Sequence, residues 1–221
     1  MAGEVPTRGI VDSRPDRGNS LVSAKIYVEG GGTSRELRIQ CRRSFSQLMR
    51  SSGLGGRMPA IVACGSREDT FDDFKEAHRI SKSRDYIAIL VDSEDPVADP
   101  EKPWQHLKSR DGWEAPQGAD DDQALLMTTS METWVAADRK ALREHYGPEL
   151  REKALPAQKD MESRSRQEIL KGLTDATRQC KAPYAKGKQS FEILGKLNPQ
   201  ELESRLPSFA RCRRILTAKM T

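Results

Sequence analysis

The chain has 221 residues, 32% of them charged, with a formal net charge of +4, and this length fits one domain with a modest additional lobe. Its four cysteines are widely spaced and form no CxxC or Cys/His pair, which argues against a zinc site and favours reduced thiols. No apolar run is long enough to span a membrane and the first residues lack the apolar core of a secretory signal, so we expect a cytoplasmic protein with a disordered tail over residues 1–22.

The first 92 residues alternate between strand and helix patterns. Strands are predicted at residues 24–28 (AKIYV), 58–65 (MPAIVACG) and 86–91 (YIAILV), and the unbroken apolar run of the third is typical of a strand covered on both faces. Two helix patterns lie between them. Each carries an apolar stripe at spacings of three and four residues: Leu37, Cys41, Phe45 and Leu48 in the first, and Phe71, Phe74, Ala77 and Ile80 in the second.

This alternation predicts an α/β domain over residues 23–160, with a doubly wound, mainly parallel sheet flanked by helices. Residues 96–122 look like a loop, residues 124–130 (ALLMTTS) predict a further strand, and residues 131–147 predict one helix that stops at Gly147. Residues 161–221 predict a helical C-terminal extension. Residues 162–221 hold 13 Lys and Arg against 6 Asp and Glu, so this extension is basic while the rest of the chain has a net charge of −3.

Carboxylates follow two of the predicted strands. Glu29 comes directly after the first strand, and Asp92, Glu94 and Asp95 (in DSED) follow the third. Ligands of open parallel sheets bind at the carboxyl ends of the strands, so these acids would meet if the two strands are neighbours. Oxygen ligands of this kind favour Mg²⁺ or Mn²⁺, and a cation would relieve the mutual repulsion of the acids.

The motifs VEG at residues 28–30 and VDSED at residues 91–95 resemble the two acidic motifs of the Toprim fold of topoisomerases, primases and OLD-type nucleases. The resemblance implies a Toprim-like central sheet, with Glu29 in acid–base chemistry or metal binding and Asp92 and Glu94 as ligands of one or two Mg²⁺ or Mn²⁺ ions. The usual second aspartate of the motif is Glu94 here, so Glu94 and Asp95 both remain candidates.

Longer phrases resemble a family of small Toprim-like bacterial proteins. They are GRMPAIVACG, PWQHLKSRDGW, METWVAADR and YAKGKQSFEILGKLNP, and with the acidic motifs they cover roughly residues 24–215. Such proteins are similar to the nuclease half of two-component phage-defence systems, which implies cleavage of DNA or RNA together with an ABC-type ATPase.

Further site residues are predicted around the acids. Glu132 follows a predicted strand and opens a helix, so it is a candidate metal ligand or, alternatively, only a first-turn helix acid. Glu36, one or two helical turns past Glu29, is a candidate metal ligand or, alternatively, only a capping-box glutamate. Lys186 and Lys188 flank a glycine ahead of a helix and are candidate catalytic phosphate contacts. Candidate nucleic-acid contacts, besides these two lysines, are His106, Lys108, Arg110 and the base-stacking Trp113.

Two alternatives stay open. A non-catalytic subunit would dock an ATPase through an apolar stripe formed by Leu202, Leu206 and Phe209. A phosphatase-like phosphotransferase would need a nucleophilic aspartate after the first strand, where Glu29 stands instead. Nucleotide binding is disfavoured, because the GGG turn matches neither G-x-G-x-x-G nor a Walker A motif.

Overall fold

The computed structural model describes residues 23–82 and 84–220, so the tail predicted over residues 1–22 lies outside the described part. Four strands form one parallel sheet in the order β2-β1-β3-β4. The strands are β1 (Ala24–Gly31), β2 (Ala60–Gly65), β3 (Tyr86–Asp92) and β4 (Ala124–Met127). The predicted α/β class with a parallel sheet and C-terminal helices is therefore confirmed.

Nine α-helices surround this sheet within the described residues. They are α1 (Arg35–Met49), α2 (Arg67–Ile80), α3 (Pro103–Asp111), α4 (Met131–Ala137), α5 (Arg139–Tyr146), α6 (Arg166–Thr177), α7 (Lys188–Leu194), α8 (Pro199–Arg205) and α9 (Pro207–Met220).

Helices cover both faces of the sheet. On one face, α1 and the C-terminal helices share a single core with inward residues of β1 and β3 such as Val28 and Leu90. On the other face, α2 and α3 pack Phe74 and Leu107 against Ile89. Every residue of β3 is buried, as its unbroken apolar sequence predicts.

The first helix begins where the sequence suggests. Ser34 caps α1 by accepting a hydrogen bond from the backbone N–H of Leu37 at 3.3 Å. Cys41 and Phe45, on the inner side of this helix, are fully buried. Leu37 occupies the third helical position that a capping-box glutamate would need, and Glu36 comes one residue too early.

Two local predictions are wrong. The stretch at 96–122 contains α3, whose start at Pro103 and stop at the left-handed Gly112 are helix-boundary signals inside a segment rich in proline and charge. The single helix predicted over 131–147 is two helices, because Asp138 leaves the helical conformation and its side chain caps Ala141 at 3.0 Å.

Ile80 and the apolar stripe proposed for docking are not placed as expected. Ile80 lies at the end of α2 and is exposed. The proposed docking stripe of Leu202, Leu206 and Phe209 is buried in the core shared with the sheet, so it offers no surface to a partner. Leu202, Leu206 and Phe209 are buried because α8 and α9 pack their apolar sides against this core.

All four cysteines are buried with free thiols, as the spacing suggested. Burial raises the pKa of the Cys41 and Cys64 thiols to about 12, so these thiols are protonated and unreactive near neutral pH.

Candidate metal centre

Three carboxyl groups meet at the carboxyl end of the sheet. Glu29, Asp92 and Glu94 each place a ligand oxygen within 4.8 Å of the others. They meet because β1 pairs directly with β3, with Val28 opposite Leu90. The expectation that the acids of the first and third strands share one edge is therefore confirmed, and this cluster could hold a metal ion.

Asp92 is the most enclosed of the three acids, with 9% of its surface exposed. Its Oδ1 accepts a hydrogen bond of 2.8 Å from the backbone N–H of Met131, the first residue of α4. Burial raises the pKa of Asp92 well above its usual range, and the charges of Glu29 and Glu132 add to the shift. A nearby cation would remove that penalty on the charged form.

Glu94 reaches the cluster through an unusual backbone conformation. Its φ is 68°, in the left-handed region that non-glycine residues rarely adopt, and its N–H donates to the carbonyl of Thr129 at 2.8 Å. Such a conformation costs about 1–3 kcal/mol and persists where surrounding contacts impose it. The neighbouring Asp95 has a side chain that is 70% exposed, so Glu94 and not Asp95 completes the acidic cluster.

Arg67, which the sequence reasoning missed, connects the cluster to two helices. Its Nη1 lies 3.2 Å from Oε2 of Glu29 and donates to the backbone oxygen of Asp92 at 2.5 Å. Its Nε and Nη2 also donate to both carboxyl oxygens of Asp111 in α3. Such a fork of donors is specific to arginine. The sequence shows only that Arg67 follows the second strand by two residues, in GSRED, which does not identify its partners.

Two further arginines face Glu94. The guanidinium of Arg166, at the start of α6, contacts Oε2 of Glu94, and Nη2 of Arg110 lies 3.7 Å from the same oxygen. Arg110 also pairs with Asp95 and Asp111. The acids of the cluster are therefore partly neutralised by arginines, and Arg166 is a second residue that sequence reasoning did not identify.

Each carboxyl group of the cluster still has an oxygen for a ligand. The contacts above involve Oε2 of Glu29, Oδ1 of Asp92 and Oε2 of Glu94. The second oxygen of each group has no hydrogen-bond partner among the described residues. Three such oxygens on converging side chains form an all-oxygen donor set, which suits a hard divalent cation.

Glu132, predicted as an additional ligand, lies in the same cleft but outside the three-acid cluster. Its side chain is almost fully buried, its Oε1 accepts a hydrogen bond of 3.3 Å from the hydroxyl of Tyr184, and its Oε2 lies 3.4 Å from Nζ of Lys186. The predicted catalytic Lys186 is thus brought to the cleft and held there by Glu132.

The glycine turn after β1 forms one wall of this cleft, which has a volume of about 340 Å³. Gly31 has a φ of 85° and a Cβ on it would meet the backbone of Arg38 at 2.7 Å. Gly65, at the end of β2, has a φ of 104° and a Cβ there would lie 2.6 Å from the carbonyl oxygen of Gly32. Only glycine fits these two positions, so the turn can close against β2.

The remaining predicted residues are not brought into the cleft. Glu36 is exposed in the first turn of α1, and Asp95 is turned towards Arg110. Lys188 starts α7 with an exposed side chain 4.0 Å from Glu192, and Lys108 pairs with Glu114 at 2.8 Å.

His106 and Trp113 have structural contacts. Nε2 of His106 lies 2.9 Å from the carbonyl oxygen of Ser93, beside the DSED turn. Trp113 is 5% exposed, with one ring face stacked on Phe71 at 4.2 Å and the guanidinium of Arg67 4.8 Å from its ring centre. Since both faces are covered, the ring has no face free for a base, which corrects the predicted stacking role.

Arg110 lies beside a second cleft that borders the acidic cluster. It has a volume of about 480 Å³. Its charged lining consists of Glu94, Asp95, Arg110, Arg166 and Lys186. Lys186 lines both clefts, so the two are adjacent.

Comparison with known proteins gives one match. A family model described as a domain of unknown function (DUF4276) matches residues 28–216, which is most of the chain and includes all three acids of the cluster. No curated protein and no solved structure matches the chain. In the described residues, no helix is both long and apolar enough to cross a bilayer.

Proposed function

Since the chain belongs to the DUF4276 family, a family of unknown function, its activity has to be argued from its site, and we propose a metal-dependent nuclease that hydrolyses phosphodiester bonds of DNA or RNA. The observation that carries the proposal is the convergence of Glu29, Asp92 and Glu94 within 4.8 Å at the carboxyl edge of a parallel sheet. The resemblance of the VEG and VDSED motifs to Toprim nucleases supports the same chemistry.

The donor set suits Mg²⁺ or Mn²⁺. All three ligand groups are carboxylates, with no imidazole or thiolate among them. When bound, such an ion polarises a phosphodiester and lowers the pKa of an attacking water. Asp92 would be the anchoring ligand, since its Oδ1 is fixed by the N–H of Met131 and burial limits its motion.

Lys186 is proposed to bind the substrate phosphate. Its side chain is 47% exposed and lines the cleft that contains Glu29 and Asp92. Glu132 holds Nζ at 3.4 Å, which keeps the ammonium in position before a substrate arrives. We therefore assign Glu132 to positioning Lys186, so the site needs one metal ion and takes its second positive charge from the lysine.

The arginines on Glu29 and Glu94 support a competing proposal. Arg67 and Arg166 already neutralise part of the acidic charge, as expected of a Toprim-like subunit that has no metal and only regulates a partner. The longer sequence phrases lead us to propose an ABC-type ATPase as the partner of either form, in phage defence. The apolar stripe first considered for docking is buried, so this alternative lacks its original surface.

Metal binding and cleavage separate the two proposals. Calorimetric titration with Mn²⁺ should give saturable binding of one ion in the wild type and none in Asp92→Asn. Plasmid, single-stranded DNA and tRNA incubated with Mn²⁺ should be cleaved by the wild type and not by Glu29→Gln or Asp92→Asn. Glu76→Gln changes an exposed carboxylate on α2 and serves as the matched control.

The outcomes are distinct. Cleavage that is lost in both site variants and kept in Glu76→Gln supports the nuclease. If the wild type takes up no Mn²⁺, the metal centre is wrong and the regulatory subunit becomes the better account. If Mn²⁺ binds and both site variants cleave as fast as the wild type, the cluster is not the catalytic site.

A further inference from the structure

Most of the Lys and Arg side chains of the C-terminal extension form ion pairs within the protein. Of the 13 Lys and Arg in residues 162–221, 11 form ion pairs with described acids. Arg211, for example, is buried and pairs with Glu101, which also binds Arg214. A cation already paired with a carboxylate gains less from a phosphate, because the phosphate must replace that partner.

Free positive charge is found instead along α1. Four exposed arginines line its outer side and form no ion pair with any described residue, and we call them the α1 basic stripe. They are Arg35, Arg42, Arg43 and Arg50, the last directly following the helix. Arg35 and Arg42, like Arg43 and Arg50, are seven residues apart, so each pair is separated by two helical turns on one side of the helix.

The end of α1 that carries Arg35 lies beside the cleft of the metal centre. Arg35 follows the glycine turn, and Leu37 in the same helical turn lines the cleft that contains Glu29. Gln40 donates from its Nε2 to the carbonyl of Lys188 at 3.1 Å, which joins α1 to the end of α7 beside the cleft. An anionic polymer that lies along the stripe would therefore have one end near the cleft.

The length and the charge of the stripe suit a nucleic-acid backbone. From Arg35 to Arg50 the helix advances about 22 Å at 1.5 Å per residue, a length of about six steps of a duplex with 3.4 Å per step. Arginine binds phosphate oxygens with two donors at once. Phosphate contacts of this kind are independent of base sequence and weaken with salt.

The opposite face of the sheet has the opposite charge. Helix α2 lies there and exposes five acids against two cations, Lys75 and Arg79, each of which pairs with one of these acids. They are Glu68, Asp69, Asp72, Asp73 and Glu76. A polyanion is repelled by this face and attracted by α1, so the charge distribution favours approach of the polyanion from the α1 side.

We infer that the α1 basic stripe is a sequence-independent binding surface for the phosphate backbone of a nucleic acid, which it leads to the acidic cleft. This inference names the substrate-binding surface of the nuclease and rests on that proposed function. It places this surface on α1, apart from the nucleic-acid contacts predicted from the sequence.

The test is nucleic-acid binding by the full chain in EDTA, so that no cleavage occurs. Fluorescence anisotropy is measured with a labelled 20-base-pair DNA duplex and a 20-nucleotide RNA over a range of NaCl concentrations. Arg42→Gln/Arg43→Gln is compared with Lys171→Gln/Arg178→Gln. Both double variants remove two exposed positive charges, but Lys171 in α6 and Arg178 directly after this helix both contact Asp175.

The stripe variant should bind about tenfold more weakly at 100 mM NaCl. Its plot of log affinity against log salt should be less steep by about 1.8 for the duplex and about 1.4 for the single-stranded RNA, the values for two lost phosphate contacts. The α6 variant should stay within about twofold of the wild type. Equal weakening in both double variants would mean that only net charge matters, and it would overturn the inference. So would unchanged binding in the stripe variant.

Failure of the inference can be told apart from failure of the nuclease proposal. Wild-type binding that needs the stripe, with no cleavage on adding Mn²⁺, keeps the inference and rejects the nuclease. Cleavage that depends on Glu29, with binding unaffected by the stripe variant, does the reverse. Polyglutamate that binds the stripe while neither nucleic acid shows saturable binding would assign the surface to an acidic protein and overturn the inference.

Discussion

Nη1 of Arg67 lies 3.2 Å from Oε2 of Glu29, so the first residue of α2 is tied to the acid near the carboxyl end of β1. The same guanidinium binds Asp111 of α3 and the backbone of Asp92. One side chain therefore joins two strand ends to two helices on the far face of the sheet. It limits the separation of Glu29 and Asp92 whether or not a cation is bound.

Arg67→Ala should lower the free energy of unfolding by about 3 kcal/mol, because it removes the partner of Glu29 and one of the two guanidinium partners of the buried Asp111. Urea unfolding followed by circular dichroism measures the change. The matched control is Arg79→Ala, which removes an exposed pair with Glu76 and should leave stability nearly unchanged. Equal losses in the two variants would contradict the connecting role of Arg67.

Asp92→Asn should make the metal-free protein more stable while abolishing stabilisation by Mn²⁺. The substitution removes a buried charge that burial and two neighbouring acids disfavour, and it also removes the central ligand. Thermal melts with and without Mn²⁺ check both effects. At 100 times its dissociation constant the ion should stabilise the wild type by about 2.7 kcal/mol, and a similar stabilisation of the variant would contradict the assignment of Asp92.

Gly65→Ala should destabilise the protein by more than about 2 kcal/mol. The new Cβ would lie 2.6 Å from the carbonyl oxygen of Gly32, which holds the turn beside the cleft. Gly118→Ala is the control, because Gly118 also has a positive φ but open space around its Cα, so it reports the backbone strain alone. Denaturant midpoints that fall equally in the two variants would show that the clash is relieved.

Glu162 should make stability depend on pH. Burial raises the pKa of Glu162 to about 7, although the hydroxyl and N–H of Ser208 at the start of α9 favour its charged form. A raised carboxyl pKa means that the folded state binds the proton more tightly than the unfolded state. The stability due to protonated Glu162 is therefore complete below pH 4.5 and is lost as the pH rises to about 7, a change of about 3 kcal/mol.

Glu162→Gln tests this dependence, since glutamine cannot lose a proton. The difference in unfolding free energy between the wild type and the variant should fall from pH 4.5 to pH 7 and then stay constant. Urea unfolding at several pH values measures it. A difference that does not change with pH would show that Glu162 is not held in a desolvated position.

The sequence predicts the sheet and the acidic cluster because both depend on local signals. The apolar run of β3 and the acids that follow it lie within one stretch, and parallel strands bring such ends to one edge. The position of Glu94 over Asp95 could not be predicted in this way. It depends on the left-handed backbone of Glu94 and on its hydrogen bond to Thr129, which lies beyond β4.

The arginines of the site and the role of the tryptophans could not be predicted for a related reason. Arg67 and Arg166 begin helices, and nothing near them in the chain shows that they face acids from other elements. Trp113 has cationic neighbours in the sequence, yet its ring packs on Phe71 from α2. Partners that come together only through tertiary packing leave no local pattern in the sequence.

The pairing of β1 with β3 has a consequence for synthesis of the chain. Glu29 is made early, but its two acidic partners emerge only after β2 and α2, and β3 must then insert beside β1. Until that insertion, the nascent protein has single carboxylates and no centre at which a divalent ion could be held. Any chemistry that needs all three acids therefore starts only when β3 lies beside β1.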